Sequence, residues 1–130
     1  MAPPPEFLDL DDVLELHAHG LARWGGTQGI RDRGALSSAI AQPEATFGGE
    51  YVHEDLFAMA AAYAFHIAEA QAFLDGNKRA GVLAAVIFLD MNGFHIPEHE
   101  DVVYLAMTEI SVRTMNKRQL AQLLRELAGV

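Results

Sequence analysis

Residues 71 to 79 read Gln-Ala-Phe-Leu-Asp-Gly-Asn-Lys-Arg, which sets an amide, an apolar anchor, one carboxylate, a glycine, a second amide and two adjacent cations side by side. Such a set suits the capture of phosphate. Gly76 has no side chain to keep a phosphate from the backbone, and it tolerates conformations closed to its neighbours. Lys78 offers a point charge and Arg79 a two-pronged grip, and on a helix the two cannot point the same way. Asp75 would repel phosphate unless a hard cation stands between them, so its presence argues for Mg²⁺ carried in with a nucleotide. Phe73 is expected to anchor the segment in the core. From spacing alone, Asp75-Gly76-Asn77 reads equally well as an ordinary turn and helix cap, with Lys78 and Arg79 solvated.

The flanking elements decide whether those groups can act together. Asp9 is expected to cap a first helix that runs to about Trp24, where Gly25-Gly26 stops it. Asp32 caps a second that ends before Pro43, whose ring disfavours a helical conformation in Gln42. Across residues 46 to 52, starting at Thr46, the aromatics Phe47 and Tyr51 surround Gly48-Gly49, a pattern that suits a small hairpin or flap. An alanine-rich third helix opens at Glu54 or Asp55 and is expected to reach about Ala72. A fourth runs from Asn77 or Lys78 to Met91, with Asn92-Gly93 as its stop. A fifth follows Pro97, and a sixth follows Asn116, with Gln119 placed to close a capping box. Small residues on the third helix (Ala60, Ala61, Ala62, Ala64) and the fourth (Gly81, Ala84, Ala85) permit close approach. The fourth is apolar nearly all round after its first turn, so it is expected to be the buried centre of a bundle. Only its start would meet water, and the unpaired amides there already form an anion-binding surface.

The chain has 130 residues and about half of them are apolar, enough for one domain with one core. Residues 1–6, with their proline triplet, are expected to be a disordered tail and residues 7–130 a single domain. No apolar run reaches the ~18 residues that suggest a membrane span, and the start has neither the basic nor the apolar region of a secretion signal. A cytoplasmic protein without membrane association is the expectation. The absence of cysteine excludes disulfides and thiolate metal sites, and the net charge of −9 opposes direct nucleic-acid binding. His66 lies about 140° around a helix from Gln71 and reads as a core or second-layer histidine. His17 and His19 diverge on a helix. His95-Ile-Pro-Glu-His99 has the spacing of a metal motif, but Pro97 interrupts the helix that motif needs.

The string from Phe73 to Arg79, preceded by one helix and followed by a buried one, resembles the signature of the Fic/Doc superfamily, and within it the death-on-curing (Doc) branch. Lys78 stands where Fic adenylyltransferases have the second glycine of their core motif, and Val82 where they usually have a second arginine. Gly25-Gly26, Gly29-Ile-Arg-Asp32, Leu36-Ser-Ser-Ala39, Pro43, Phe47-Gly48 and the Asn92-Gly93 stop are similar to the same family, so the likeness covers roughly residues 7 to 127. The resemblance implies an all-α bundle of about six helices around a buried central helix, with a β-hairpin flap. It also implies the toxin of a toxin–antitoxin pair. Such a toxin moves the γ-phosphate of ATP to a hydroxyl of a translation elongation factor and is neutralised by a small antitoxin protein. Carried over by position, Asp75 would hold Mg²⁺ and Gly76 and Asn77 would shape the cradle. Lys78 and Arg79 would bind phosphates, with Lys78 turning the γ-phosphate toward the acceptor. The flap, with Thr46, Phe47, Gly48, Gly49 and Tyr51, would dock the target by backbone pairing. The sequence departs from the family at Gln71, which replaces the histidine that takes the acceptor's proton, and at Ala72, where proline is usual. A glutamine can orient a hydroxyl but not deprotonate it, so the expectation is a weakened phosphotransferase. A nucleotide-binding pseudoenzyme or decoy is the alternative, with adenylyl transfer a third reading.

Overall fold

Most helices begin where an aspartate or asparagine can take up their free amides. α1 (Leu10–Trp24) starts at Asp9, which accepts from the Asp12 amide at 2.8 Å while the Asp12 carboxylate accepts from the Asp9 amide at 2.9 Å. Asp32 caps α2 (Arg33–Ala41) and Asp55 caps α3 (Leu56–Ala70) in the same manner. Asn116 and Gln119 close the expected box at α6 (Lys117–Leu127). Each such cap is worth about 1 kcal/mol. α4 (Asn77–Met91) differs: it starts from Gly76, and no side chain caps it. α5 spans Glu100–Ser111. The structure, a computed structural model, describes residues 3–96, 99–111 and 115–130. Pro97 and Glu98, on which the start of the fifth helix and the His95 to His99 spacing were read, lie outside the described residues, as do the first two residues of the tail.

α2 ends before Pro43 as expected, but the conformation of Gln42 and the end of α3 differ from the sequence reading. Gln42 is helical (φ −57°, ψ −44°), and Gln42–Glu44 form a 3-10 turn that continues α2. The proline effect on its predecessor is a preference, and here the buried Pro43 ring sits in the first turn of a short helix, where its missing N–H is not needed. α3 stops at Ala70 rather than near Ala72, because Gln71 turns left-handed (φ 50°, ψ 38°) and its side-chain amide donates to the Ala68 carbonyl at 2.8 Å. The premature stop frees Ala72 and Phe73 from helix hydrogen bonding.

α4 is the central helix. It is buried along ten positions and packs on α3, α1 and α5. The α3–α4 seam is as close as backbones allow, since a Cβ built on Gly81 would lie 2.6 Å from the Ala64 carbonyl oxygen. Phe57, Tyr63, Phe73, Phe88 and Leu124 fill the space around the seam. The Tyr63 hydroxyl accepts from the Leu8 amide at 2.8 Å, and Asn92 bonds both backbone groups of Glu6, so the segment from Glu6 to Leu8 lies against the bundle. β1 (Thr46–Phe47) and β2 (Glu50–Tyr51) form an antiparallel hairpin with Thr46 opposite Tyr51. Its turn residues Gly48 (φ 62°) and Gly49 (φ 84°) both have the positive φ that matches a two-residue turn to twisted strands. The result is the all-α bundle with a small hairpin that the sequence led us to expect. No helix among the described residues is long and apolar enough to cross a membrane.

Candidate functional site

The loop between α3 and α4 is held from below by a strap, residues 25 to 32. The Arg31 and Asp32 amides both donate to the Ala72 carbonyl, at 2.6 and 3.0 Å, and the Leu74 amide donates to the Gly29 carbonyl at 3.0 Å. Ile30 and Phe73 are thereby paired as in a sheet. Gly26 and Gly29 allow the close approach: a Cβ on Gly29 would meet Leu74 at 2.6 Å, and one on Gly26 the Asp75 carboxylate at 2.9 Å. The Thr27 amide then donates to Asp75 Oδ2 at 3.1 Å, while Asp75 Oδ1 accepts from the Gly76 amide at 2.9 Å. Each carboxylate oxygen accepts one hydrogen and keeps lone pairs facing outward, so the acid is aimed without being consumed.

Inside the loop, Phe73 is fully buried, as expected of an anchor, and His17 of α1 stacks flat upon it with ring centroids 3.6 Å apart and planes 4° from parallel. His17 Nε2 lies 2.8 Å from the Asp75 carbonyl oxygen, and since a carbonyl only accepts, that nitrogen carries the hydrogen. Asn77 closes the turn. Its Oδ1 accepts from the Phe73 amide at 2.9 Å, and its Nδ2 donates to the Phe73 carbonyl at 3.0 Å and to Gln71 Oε1 at 3.4 Å. Asn77 therefore braces the loop from behind, with both polar atoms turned inward. Gln71 is exposed, and both ends of its amide are engaged, one by Ala68 and one by Asn77.

The cations stand at the uncapped start of α4. Lys78 reaches Thr108 Oγ1 of α5 at 3.4 Å, its ammonium 5.4 Å from the Tyr104 ring. Arg79 lies in a slot between two aromatic faces, its guanidinium carbon 4.0 Å from the Trp24 ring and 3.9 Å from the Tyr104 ring. Both cations border the Tyr104 ring, Lys78 reaching on to Thr108 and Arg79 to Trp24, so they come closer together than their spacing on a helix led us to expect. The Arg79 stem crosses α1 at Gly20, where a side chain would press on it at 3.4 Å. Arg79 Nη1 is buried and has no hydrogen-bond partner among the described residues. Stacking on both faces leaves the guanidinium only its edge for an incoming anion.

The structure thus gathers Gln71, Asp75, Gly76, Asn77, Lys78 and Arg79 in one turn. Thr46, Phe47, Gly48, Gly49 and Tyr51 form the separate hairpin, which is exposed throughout, Phe47 to 86%. Sequence reasoning missed His17, Thr27, Trp24 and Tyr104. Only His17 left a signal, a lone histidine in register with the buried Val13 and Gly20 of α1. His66 turns away from Gln71, as its position implied, and Lys117 Nζ lies 3.0 Å from its Nε2. His95 pairs with Asp90.

Residues 7–89 match the Fic/DOC family. The chain is 36% identical over 130 residues to a protein named Toxin Doc from Mycolicibacterium smegmatis, an alignment covering 95% of this chain and 92% of that protein. It is 34% identical over 123 residues to one named Protein kinase doc from Escherichia phage P1, covering 92% and 93% respectively.

Proposed function

Because the chain belongs to the Fic/DOC family and is a Doc-like member of it, we propose that it is a toxin of the protein-kinase kind that moves the γ-phosphate of ATP to a hydroxyl on a protein of the translation machinery, held in check by a small antitoxin. The observation that carries this reading is the orphaned, buried Nη1 of Arg79 beside a helix start that no side chain caps. A buried donor without a partner costs about 1–3 kcal/mol, and an anionic ligand relieves that cost. Arg79 grips the phosphate chain edge-on, Lys78 neutralises charge from the α5 side, and the first amides of α4 complete the cradle. Asp75 is the one carboxylate of the loop, and a single carboxylate plus nucleotide phosphates suits Mg²⁺, which usually keeps several waters and needs no all-protein cage. When bound, the ion would be held by Asp75 and would offset the charge of the phosphates.

In the transfer, the acceptor oxygen bonds to the γ-phosphorus as the bond to the β–γ bridging oxygen breaks, and ADP leaves. Gln71 cannot take the acceptor's proton, which passes to water or to the transferred phosphoryl group. The transition state is loose and proton removal comes late, so positioning and charge neutralisation bear most of the burden. The hairpin offers an exposed strand edge where an acceptor segment can pair.

The test uses Mg²⁺ with ATP labelled on the γ- or the α-phosphate and a bacterial lysate as acceptor. Protein labelling by γ alone is expected, and Gln71→His is expected to raise it by ~10² to 10⁴. Labelling by α would assign adenylyl transfer. Neither label, with ATP binding intact and no gain in Gln71→His, would assign a nucleotide-binding pseudoenzyme.

A further inference from the structure

Between the hairpin and α6 the fold collects basic groups that the loop at 71–79 does not use. His53 lies two residues past β2, His66 belongs to the C-terminal half of α3, and Lys117 and Arg118 open α6. Lys117 Nζ lies 3.0 Å from His66 Nε2, and His53, Lys117, Arg118 and Arg125 line one cavity of about 510 Å³. Two carboxylates also line it. Asp55 is committed to the α3 cap and to Arg125 at 2.6 Å, which leaves Glu54 against Lys117, Arg118 and the His53 imidazole. For a chain of net charge −9 this is an unusual concentration of positive potential. Lys117 acts on both imidazoles and His53 acts on His66, whereas Lys117 itself is perturbed by burial. Burial first, and then the charge of Lys117, push His66 down to about 4 and lower His53, while burial alone lowers Lys117. The group that would relieve them is an anion.

We propose that this cavity is a binding site for a phosphate-type oxyanion. Several donors converge from different elements, which suits a ligand with several acceptor oxygens and more than one negative charge. Lys117 keeps hydrogens beyond the one directed at His66, Arg118 contributes a planar fork, and the His53 imidazole gains a second donor by taking up a proton. The source of the oxyanion is a free ion or a phosphorylated side chain. The second has a route, because β2 runs into the cavity through Val52 and His53, so a peptide laid along the hairpin edge would place its side chains there.

Inorganic phosphate titrated at constant ionic strength, with the histidine ring resonances followed by NMR, tests the site. Saturable shifts of His53 and His66 with one common affinity are expected, with both rings titrating at higher pH when phosphate is bound. Lys117→Met and Arg118→Gln should each weaken that affinity by about tenfold or more, while Arg79→Ala leaves it unchanged. A phosphoserine peptide that binds tighter than free phosphate identifies a side-chain ligand, and equal affinity identifies the ion. The proposal is overturned if the shifts fail to saturate, if chloride reproduces them, if they survive in the exposed-site variant Arg118→Gln combined with Lys117→Met, or if Arg79→Ala removes them. This outcome is independent of the labelling assay, since it reads a different cavity.

Discussion

Replacing Asn77 tests whether the loop between α3 and α4 is held from within. Phe73 is fully buried, and both of its backbone groups are satisfied by the Asn77 amide, at 2.9 Å to its N–H and 3.0 Å to its carbonyl. Asn77→Ala leaves both without partners in a place water does not reach. Each orphaned group costs about 1–3 kcal/mol, and alanine regains well under 1 kcal/mol in helix propensity. The expected net loss is therefore about 3 kcal/mol, or about 10 °C in Tm for a domain of this size. Asn77→Asp separates hydrogen bonding from shape. One carboxylate oxygen still accepts from the Phe73 amide, but the other faces the Phe73 carbonyl and Gln71 Oε1, acceptor against acceptor. The folded state therefore raises the new carboxyl above its unfolded value and binds its proton more tightly. The deficit relative to wild type is full above that raised pKa and shrinks as pH falls through it, because the protonated acid donates where the amide did. Urea unfolding of all three proteins at about pH 7.5 and about pH 4.5 reads the effect, with ATP binding measured in parallel. An alanine variant within about 0.5 kcal/mol of wild type, or an aspartate deficit equal at both pH values, would refute the reasoning.

The glycine-to-alanine exchange should have opposite signs at two helical positions. Gly81→Ala forces its Cβ onto the Ala64 carbonyl at 2.6 Å and lowers stability by about 1–3 kcal/mol despite the better helix former. Gly34→Ala, whose nearest neighbour would be Asp32 Oδ1 at 3.5 Å, raises it by about 0.5–1 kcal/mol, and thermal unfolding compares the two. Trp24→Ala and Tyr104→Ala each uncover one face of Arg79 and should weaken ATP by about three- to thirtyfold by calorimetry, with the helical content unchanged. His66 has a folded pKa of about 4 against 6.5 in its unfolded state, so the unfolded chain binds the extra proton between them. Stability is then lost as pH falls from about 6.5 toward 4, and the urea midpoint of His66→Gln should fall less steeply over that window than that of wild type.

Residues 71 to 79 carried most of the candidate site, because a glycine, an acid and two cations in a row restrict what one turn can do. The apolar run of α4 and the aspartates and asparagine before α1, α2, α3 and α6 likewise announced the bundle, since both periodicity and capping are local properties of the chain. The end of α3 was not legible: a glutamine has no intrinsic call to turn left-handed, and it does so because its amide finds Ala68 and Asn77 once the loop is folded. The partners of the loop were equally hidden. His17 lies 58 positions from Asp75, and the Arg79 slot joins α1 to α5 across α4. Local chemistry alone determined which groups stand together in the loop and where helices start. Tertiary structure decided how those groups are aimed, because burial makes each backbone and ring partner obligatory and the chain brings such partners together only when the bundle closes.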